Sequence, residues 1–157
     1  MTCGSTPPLA LALLFASACK VVEFHEAPLA DAGLTVQVKG GEWAAVDEPL
    51  FKRAVSNLLG HAIRYADPGS RILIRIEPAS VDQIRVEVAN SGSSIDPQHV
   101  GRLFDRFFRA DSARHNSQLH HGLGLAIVAA IARMHAGRTL AESDAHGTRV
   151  SFTLARQ

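Results

Sequence analysis

Cysteine is nearly absent from this sequence. The two present, Cys3 and Cys19, both fall in the first twenty of 157 residues, so neither a disulfide framework nor a closed cysteine metal site can be built across the domain. A reducing compartment fits this usage. A surplus of either charge is also missing, since sixteen Lys and Arg against fifteen Asp and Glu leave a net charge of +1. That balance argues against a general nucleic-acid binder working through bulk electrostatics, and any basic site must be local. No apolar run reaches the ~20 residues a membrane-spanning helix needs. The longest, LALALLFASAC, covers eleven residues from Leu9 to Cys19.

Small residues before Cys19 faintly suggest a lipoprotein signal, but no Lys or Arg precedes the run, where a signal peptide carries positive charge. Residues 1–19 are therefore expected to be a poorly ordered leader or the remnant of a longer chain, with one domain over 20–157. An apolar content of 46% and a charged content of 20% suit a soluble globular domain with a real core.

From Lys20 the pattern becomes orderly. VVEFHEAPLADAG has helical spacing, with a kink or the start of a new turn expected at Pro28 and a stop at Gly33. LTVQVKG alternates as a strand and EWAAV reads as its short partner. Asp47 is a candidate N-cap, Pro49 fits a first turn, and a helix should run from about Leu50 to Tyr65. RILIRIEP and QIRVEVAN read as strands around ASVD, NSGSSIDPQHV as a loop, and PQHVGRLFDRFFR as a short helix. GLGLAIVAAIARMHAG is the strongest helical pattern, with Gly137 at its exit, and a hairpin around DAHG closes the chain. This order lacks regular β-α alternation. It predicts a two-layer α/β sandwich, a mixed and mostly antiparallel sheet covered on one face by about three helices.

Within NLLGHAIRYA, Asn57, His61, Arg64 and Tyr65 stand at offsets 0, +4, +7 and +8, one face of a helix, while Leu58, Leu59, Ala62 and Ile63 supply an apolar face. Such a helix is the wall of a candidate site. Gly122 and Gly124 sit where a loop becomes a helix, where free N–H groups, a positive dipole and missing Cβ atoms admit a phosphate. An ordinary turn explains the same two glycines.

Four segments together decide more. SNLLGHAIRYA, VANSGSSI, RLFDRFFRADSAR and GLGLAIVAAIARMHAG resemble, in order and spacing, the asparagine box, first glycine box, phenylalanine box and second glycine box of sensor histidine kinases. GTRVSFTL is similar to that family's last strand. From about Val21 to Arg156 the chain resembles the catalytic, ATP-binding domain of such kinases, the heavy-metal (copper or silver) branch most of all.

The resemblance implies ATP and Mg²⁺ as cofactors. Asn57 would contact phosphate or the magnesium shell, and His61 stands where the family has a second asparagine that ligates Mg²⁺. Arg64 would neutralise phosphate charge and Tyr65 would pack beside adenine, although a boundary tyrosine at a helix end needs no ligand. Asn90 takes the place of an aspartate that accepts a hydrogen bond from the adenine amino group. Gly92 would let backbone approach the base, and Ile95 would anchor that loop in the core. Arg109 and Arg114 would meet phosphate at the edge of a lid from about Arg109 to His121, and Gly122, Leu123, Gly124 and Leu125 would form the cradle at the helix start. Phe104, Phe107 and Phe108 suit packing and hinge roles. His115, His120 and His121 are expected to be solvated lid residues.

Two departures bear on activity. His61 offers nitrogen where Mg²⁺ prefers oxygen, and His120 replaces the first glycine of the G-x-G-x-G run. The implied function is to position ATP for phosphoryl transfer to a histidine on a separate dimerisation domain, with a response regulator as indirect partner. None of the eight histidines has a phosphoacceptor context. The alternative is a degenerate nucleotide-binding or scaffolding domain. Hydrolysis of the gyrase, chaperone and mismatch-repair kind is disfavoured, because those relatives carry a glutamate base where Asn57 stands and an amide cannot take a proton from water. A cytoplasmic location, on the inner face of the membrane in a full-length sensor, with no direct membrane or nucleic-acid contact, is expected.

Overall fold

The computed structural model describes residues 9–108 and 123–156. In chain order they form β1 (Ala10–Leu13), α1 (Leu14–Phe24), α2 (Glu26–Asp31), β2 (Thr35–Lys39), β3 (Trp43–Val46), α3 (Glu48–Tyr65), β4 (Arg71–Ser80), β5 (Gln83–Asn90), α4 (Pro97–Val100), α5 (Gly124–Met134), β6 (Thr139–Asp144) and β7 (Gly147–Ala155). Five strands make one sheet in the order β2-β4-β5-β7-β6. The β2–β4 pair is parallel and the other three are antiparallel.

Period-two alternation builds the layers. Ile72, Ile74 and Ile76 of β4, Ile84, Val86 and Val88 of β5, and Val150, Phe152 and Leu154 of β7 are all buried. They meet α3 through Phe51, Ala54, Val55, Leu58, Leu59 and Ala62, which recur at helical spacing. The Phe51 and Phe152 rings pack with centroids 6.1 Å apart. The flanking helices add Leu14, Ala18 and Val21 of α1 and Val128, Ile131 and Ala132 of α5. On the opposite face of the sheet the charges pair across strands: Arg75 with Glu87 at 3.6 Å, Arg85 with Glu77 at 3.3 Å and Arg149 with Asp144 at 3.0 Å. Pairs this exposed add little stability each, but they leave the bare face polar.

The two-layer sandwich matches the sequence-based expectation, and so do α3 and the β4–β5 and β6–β7 hairpins. The Asp47 side chain accepts from the Leu50 N–H at 3.1 Å and so caps α3. Gly33 ends α2 at φ 67°.

Four local expectations are corrected. Residues 10–19 are not a poorly ordered leader: they supply β1 and the first half of α1, and the apolar run gives Leu14 and Ala18 to the core while Leu9 and Leu11 stay exposed. Its β1 part pairs antiparallel with β3, so β3 does not partner β2, which runs beside β4 instead. The break in the first helical stretch falls at His25, between α1 and α2, and of the two expectations for Pro28 the new turn holds: it is the third residue of α2, in the first turn, where a missing N–H costs nothing. The helix expected over PQHVGRLFDRFFR is confined to Pro97–Val100 and continues as turns, with Phe107 at φ 65°. At the end of α5 the left-handed residue is Ala136, not Gly137. Gly137 is required by space, since a Cβ there would overlap the Thr153 carbonyl.

His25 fastens the α1–α2 junction to α3: its Nε2 lies 2.8 Å from Ser56 Oγ. Burial holds this imidazole below its ordinary value of 6.5. The unfolded chain therefore binds the extra proton more readily than the folded one, so stability rises with pH through this window and falls as pH drops below 6.5. Denaturant melts between pH 5 and 7 should show that loss, and His25→Gln should flatten it.

Candidate functional site

The polar face of α3 forms a wall about 12 Å long from Asn57 to Tyr65, eight residues at 1.5 Å each. Its two ends are fixed differently. At one end the Asn57 Nδ2 donates to the Gly124 carbonyl at 3.0 Å, which brings the wall against the start of α5. A carbonyl partner requires the amide nitrogen to face it, so the Asn57 Oδ1 remains an acceptor. Among the described residues no side chain caps the start of α5, and its first N–H groups have the donor character of a helix N-terminus. Among the described residues a Cβ on Gly124 would meet only Asn57, at 3.9 Å, an ordinary contact. Packing against those residues therefore gives no reason for glycine there.

At the other end, Gly92 lies at φ 146°, and a Cβ on it would overlap the Tyr65 carbonyl oxygen. The Ser91 carbonyl accepts from the Asp67 N–H at 3.1 Å. These contacts press the exit of β5 against the end of α3. Asn90, 6% exposed, donates its Nδ2 to the Ser91 carbonyl at 2.9 Å. Its Oδ1 thus serves as a buried acceptor with a fixed orientation.

Between the ends, the His61 and Tyr65 rings stack obliquely with centroids 4.8 Å apart, and the Arg64 guanidinium lies 5.7 Å from the Tyr65 ring centre. Arg64 sits in the last turn of α3, where a cation complements the helix dipole. Ile95 is buried as expected, and its N–H donates to Ser143 Oγ at 2.7 Å. Leu125 is buried in the first turn of α5 and Leu123 is the residue before that helix. Arg109, Arg114, Gly122 and the lid segment lie outside the described residues.

Thr148 was not legible as a site residue. It pairs with Asn90 across the β5–β7 ladder, is 1% exposed, and lies 2.9 Å from Ser143 through the two hydroxyls. The available signal was its place directly after Gly147, which sits at φ 127° and whose Cβ would overlap the Asn90 carbonyl. A separate cleft of about 450 Å³, lined by Arg85, Arg138, Leu140, Ser151 and Thr153 among others, contains none of the wall residues.

The site is thus a helical wall closed at one end by a helix start and at the other by a buried amide. A family model described as histidine kinase-, DNA gyrase B- and HSP90-like ATPase matches residues 46–157, and the chain belongs to that family. It is 42% identical over 137 residues to the sensor histidine kinase CusS of Escherichia coli K12, a match that covers 86% of this chain and 28% of CusS. It is 38% identical over 126 residues to the sensor protein CzcS of Cupriavidus metallidurans, covering 79% of this chain and 26% of CzcS. The chain thus spans little more than a quarter of these relatives. In fold it is similar to the catalytic domain of histidine kinase ThkA, with TM-score 0.79, 22% identity and coverage of 94% and 95% of the two chains. Full-length ShkA in complex with AMPPNP gives TM-score 0.81 at 20% identity, covering 96% of this chain and 32% of ShkA.

The contrast between the two glycines is testable by chemical denaturation. Gly92→Ala should destabilise by about 1–3 kcal/mol or more, through overlap and a disfavoured φ. Gly124→Ala, in an open helical position, should leave stability unchanged or raise it by up to about 1 kcal/mol.

Proposed function

We propose that this chain binds ATP along the α3 wall and, as part of a sensor histidine kinase of the heavy-metal branch, positions it for phosphoryl transfer to a histidine on a dimerisation domain. The observation that carries the reading is Gly124, a glycine that no described neighbour requires, at a helix start beside Asn57 that no described side chain caps. Phosphates at that end would meet backbone N–H groups, and the base at the other end would meet the Asn90 acceptor. Catalysis of this kind is positioning and charge neutralisation. Arg64 is placed for the second task, with Arg109 and Arg114 as further candidates. The kinase ThkA has been captured with the response regulator TrrA, which supports such a protein as the indirect partner here.

Among the described residues no group of three or more His, Cys, Asp or Glu side chains could hold a metal ion. A Mg²⁺ ion would therefore depend on nucleotide oxygens together with the Asn57 Oδ1, a ligand set this ion accepts. When bound it would neutralise phosphate charge. His61 fits poorly, since imidazole nitrogen suits softer ions. That misfit favours, as the second reading, a nucleotide-binding domain without turnover. No helix among the described residues is long and apolar enough to cross a membrane, and the reading places the domain on the cytoplasmic side.

Calorimetric titration with ATP, with and without Mg²⁺, tests the proposal, and a chain that binds no nucleotide in either condition refutes it. Supplying an acceptor domain in trans separates the two readings, because a scaffold would bind ATP without transferring phosphate. Asn90→Ala should weaken ATP and ADP by the same factor, about 1 kcal/mol for a neutral hydrogen bond. A loss confined to ATP would move Asn90 to the phosphate end. His61→Asn should strengthen the Mg²⁺ dependence of ATP binding by restoring an oxygen ligand, and identical Mg²⁺ titrations for both proteins would remove His61 from the metal's surroundings.

A further inference from the structure

We infer that Ser143 is a positioning residue for the base end of the site, the clasp that closes the loop following Asn90. The inference rests on the nucleotide-binding reading above. Asn90 and Ile95 bracket that loop, Ser91 to Ser94. Its near end is fastened to β7 by the ladder pairing of Asn90 with Thr148. Its far end is fastened by a single side chain, since the Ile95 N–H donates to Ser143 Oγ at 2.7 Å and the same oxygen lies 2.9 Å from Thr148 Oγ1. One hydroxyl on β6 thereby joins the loop, its own strand and the residue beside Asn90. Ile95 is 6% exposed and Thr148 1%, so water cannot readily replace what Ser143 supplies.

The chemistry of a hydroxyl pair sharpens the role. After accepting from Ile95, Ser143 Oγ keeps one proton and one lone pair. If a ligand beside Asn90 offers an acceptor, Ser143 can donate to Thr148 and Thr148 to the ligand. If the ligand offers a donor, Thr148 can donate to Ser143 and accept in turn. The pair can therefore present a donor or an acceptor on the side of Asn90. Discrimination between bases therefore falls to Asn90, whose Nδ2 uses one of its two N–H groups on the Ser91 carbonyl, a bond that fixes the plane of the amide and leaves Oδ1 as its acceptor. That oxygen selects an exocyclic amino group. Ser143 supplies the placement, and Asn90 the choice.

Titration of Ser143→Ala with ATP and with ADP tests the clasp. Both affinities should fall by the same factor, about tenfold, for a buried N–H and a buried hydroxyl left without their partner. The ATP-to-ADP ratio should be kept, and Ser143→Thr, which retains the hydroxyl, should restore both. If Ser143→Ala does not fold, Ser143→Cys carries the test, since a thiol is a poorer partner and should lose affinity relative to Ser143→Thr. Unchanged affinities, a loss confined to ATP, or no rescue by threonine overturn the inference. A wild-type chain that binds neither nucleotide overturns the nucleotide reading itself, which separates the two failures.

Discussion

The pose of α3 on the sheet is the constraint on which the rest depends. Six apolar side chains, Phe51, Ala54, Val55, Leu58, Leu59 and Ala62, fix both the rotation and the height of this helix against β4, β5 and β7. Once the rotation is fixed, Asn57, His61, Arg64 and Tyr65 have no freedom to face elsewhere, because the 3.6-residue period sets them along one flank of the core stripe, where all four are half-buried. Once the height is fixed, Asn57 arrives at the start of α5 and the Tyr65 carbonyl arrives at Gly92. Burying a side chain the size of Leu or Phe is worth about 1.5–3 kcal/mol, so the core-facing stripe outweighs any single polar contact on the wall. The site inherits its rigidity from packing on the other side of the helix.

The legible parts of the fold were those where hydrophobic period and turn chemistry agree. In α3 the Asp47 cap, the proline in the first turn and the apolar stripe point the same way, and β4 and β5 alternate cleanly between turn signals. Legibility failed where composition was uniform. Ala10–Leu13 is apolar at every position, so neither period two nor period 3.6 stands out, and the segment read as a leader although it pairs with β3. The wrong partner for β3 has the same origin. Pairing is a long-range property, and the nearest strand in sequence is a poor guide when the true partner lies some thirty residues upstream.

For the site, side chains on one helix were readable from spacing alone, whereas contacts between elements were not. Asn57 and Gly124 are 67 residues apart, and Ser143 and Ile95 are 48. Nothing local in either sequence segment announces the other. The motif resemblance suggested roles for Asn57, Asn90 and the glycines as a group, but it could not say that Asn90 Nδ2 donates to the Ser91 carbonyl. It also could not show Thr148 and Ser143 behind it. Those properties come from strand register, which sets a hairpin hydroxyl beside a loop amide only after the whole sheet is assembled.

The glycines at the site carry different meanings, and the structure separates them by a physical criterion. At Gly92 and Gly147 the backbone has positive φ and stands so close to a neighbouring carbonyl that no side chain could be present. These two are explained by the fold. Gly124 occupies an ordinary helical conformation in which, among the described residues, a Cβ would meet only Asn57, at ordinary contact distance. None of those neighbours requires glycine, and alanine would suit the helix. On the proposed reading, the missing Cβ serves a phosphate held by backbone N–H groups at the helix start, beside the Asn57 amide oxygen.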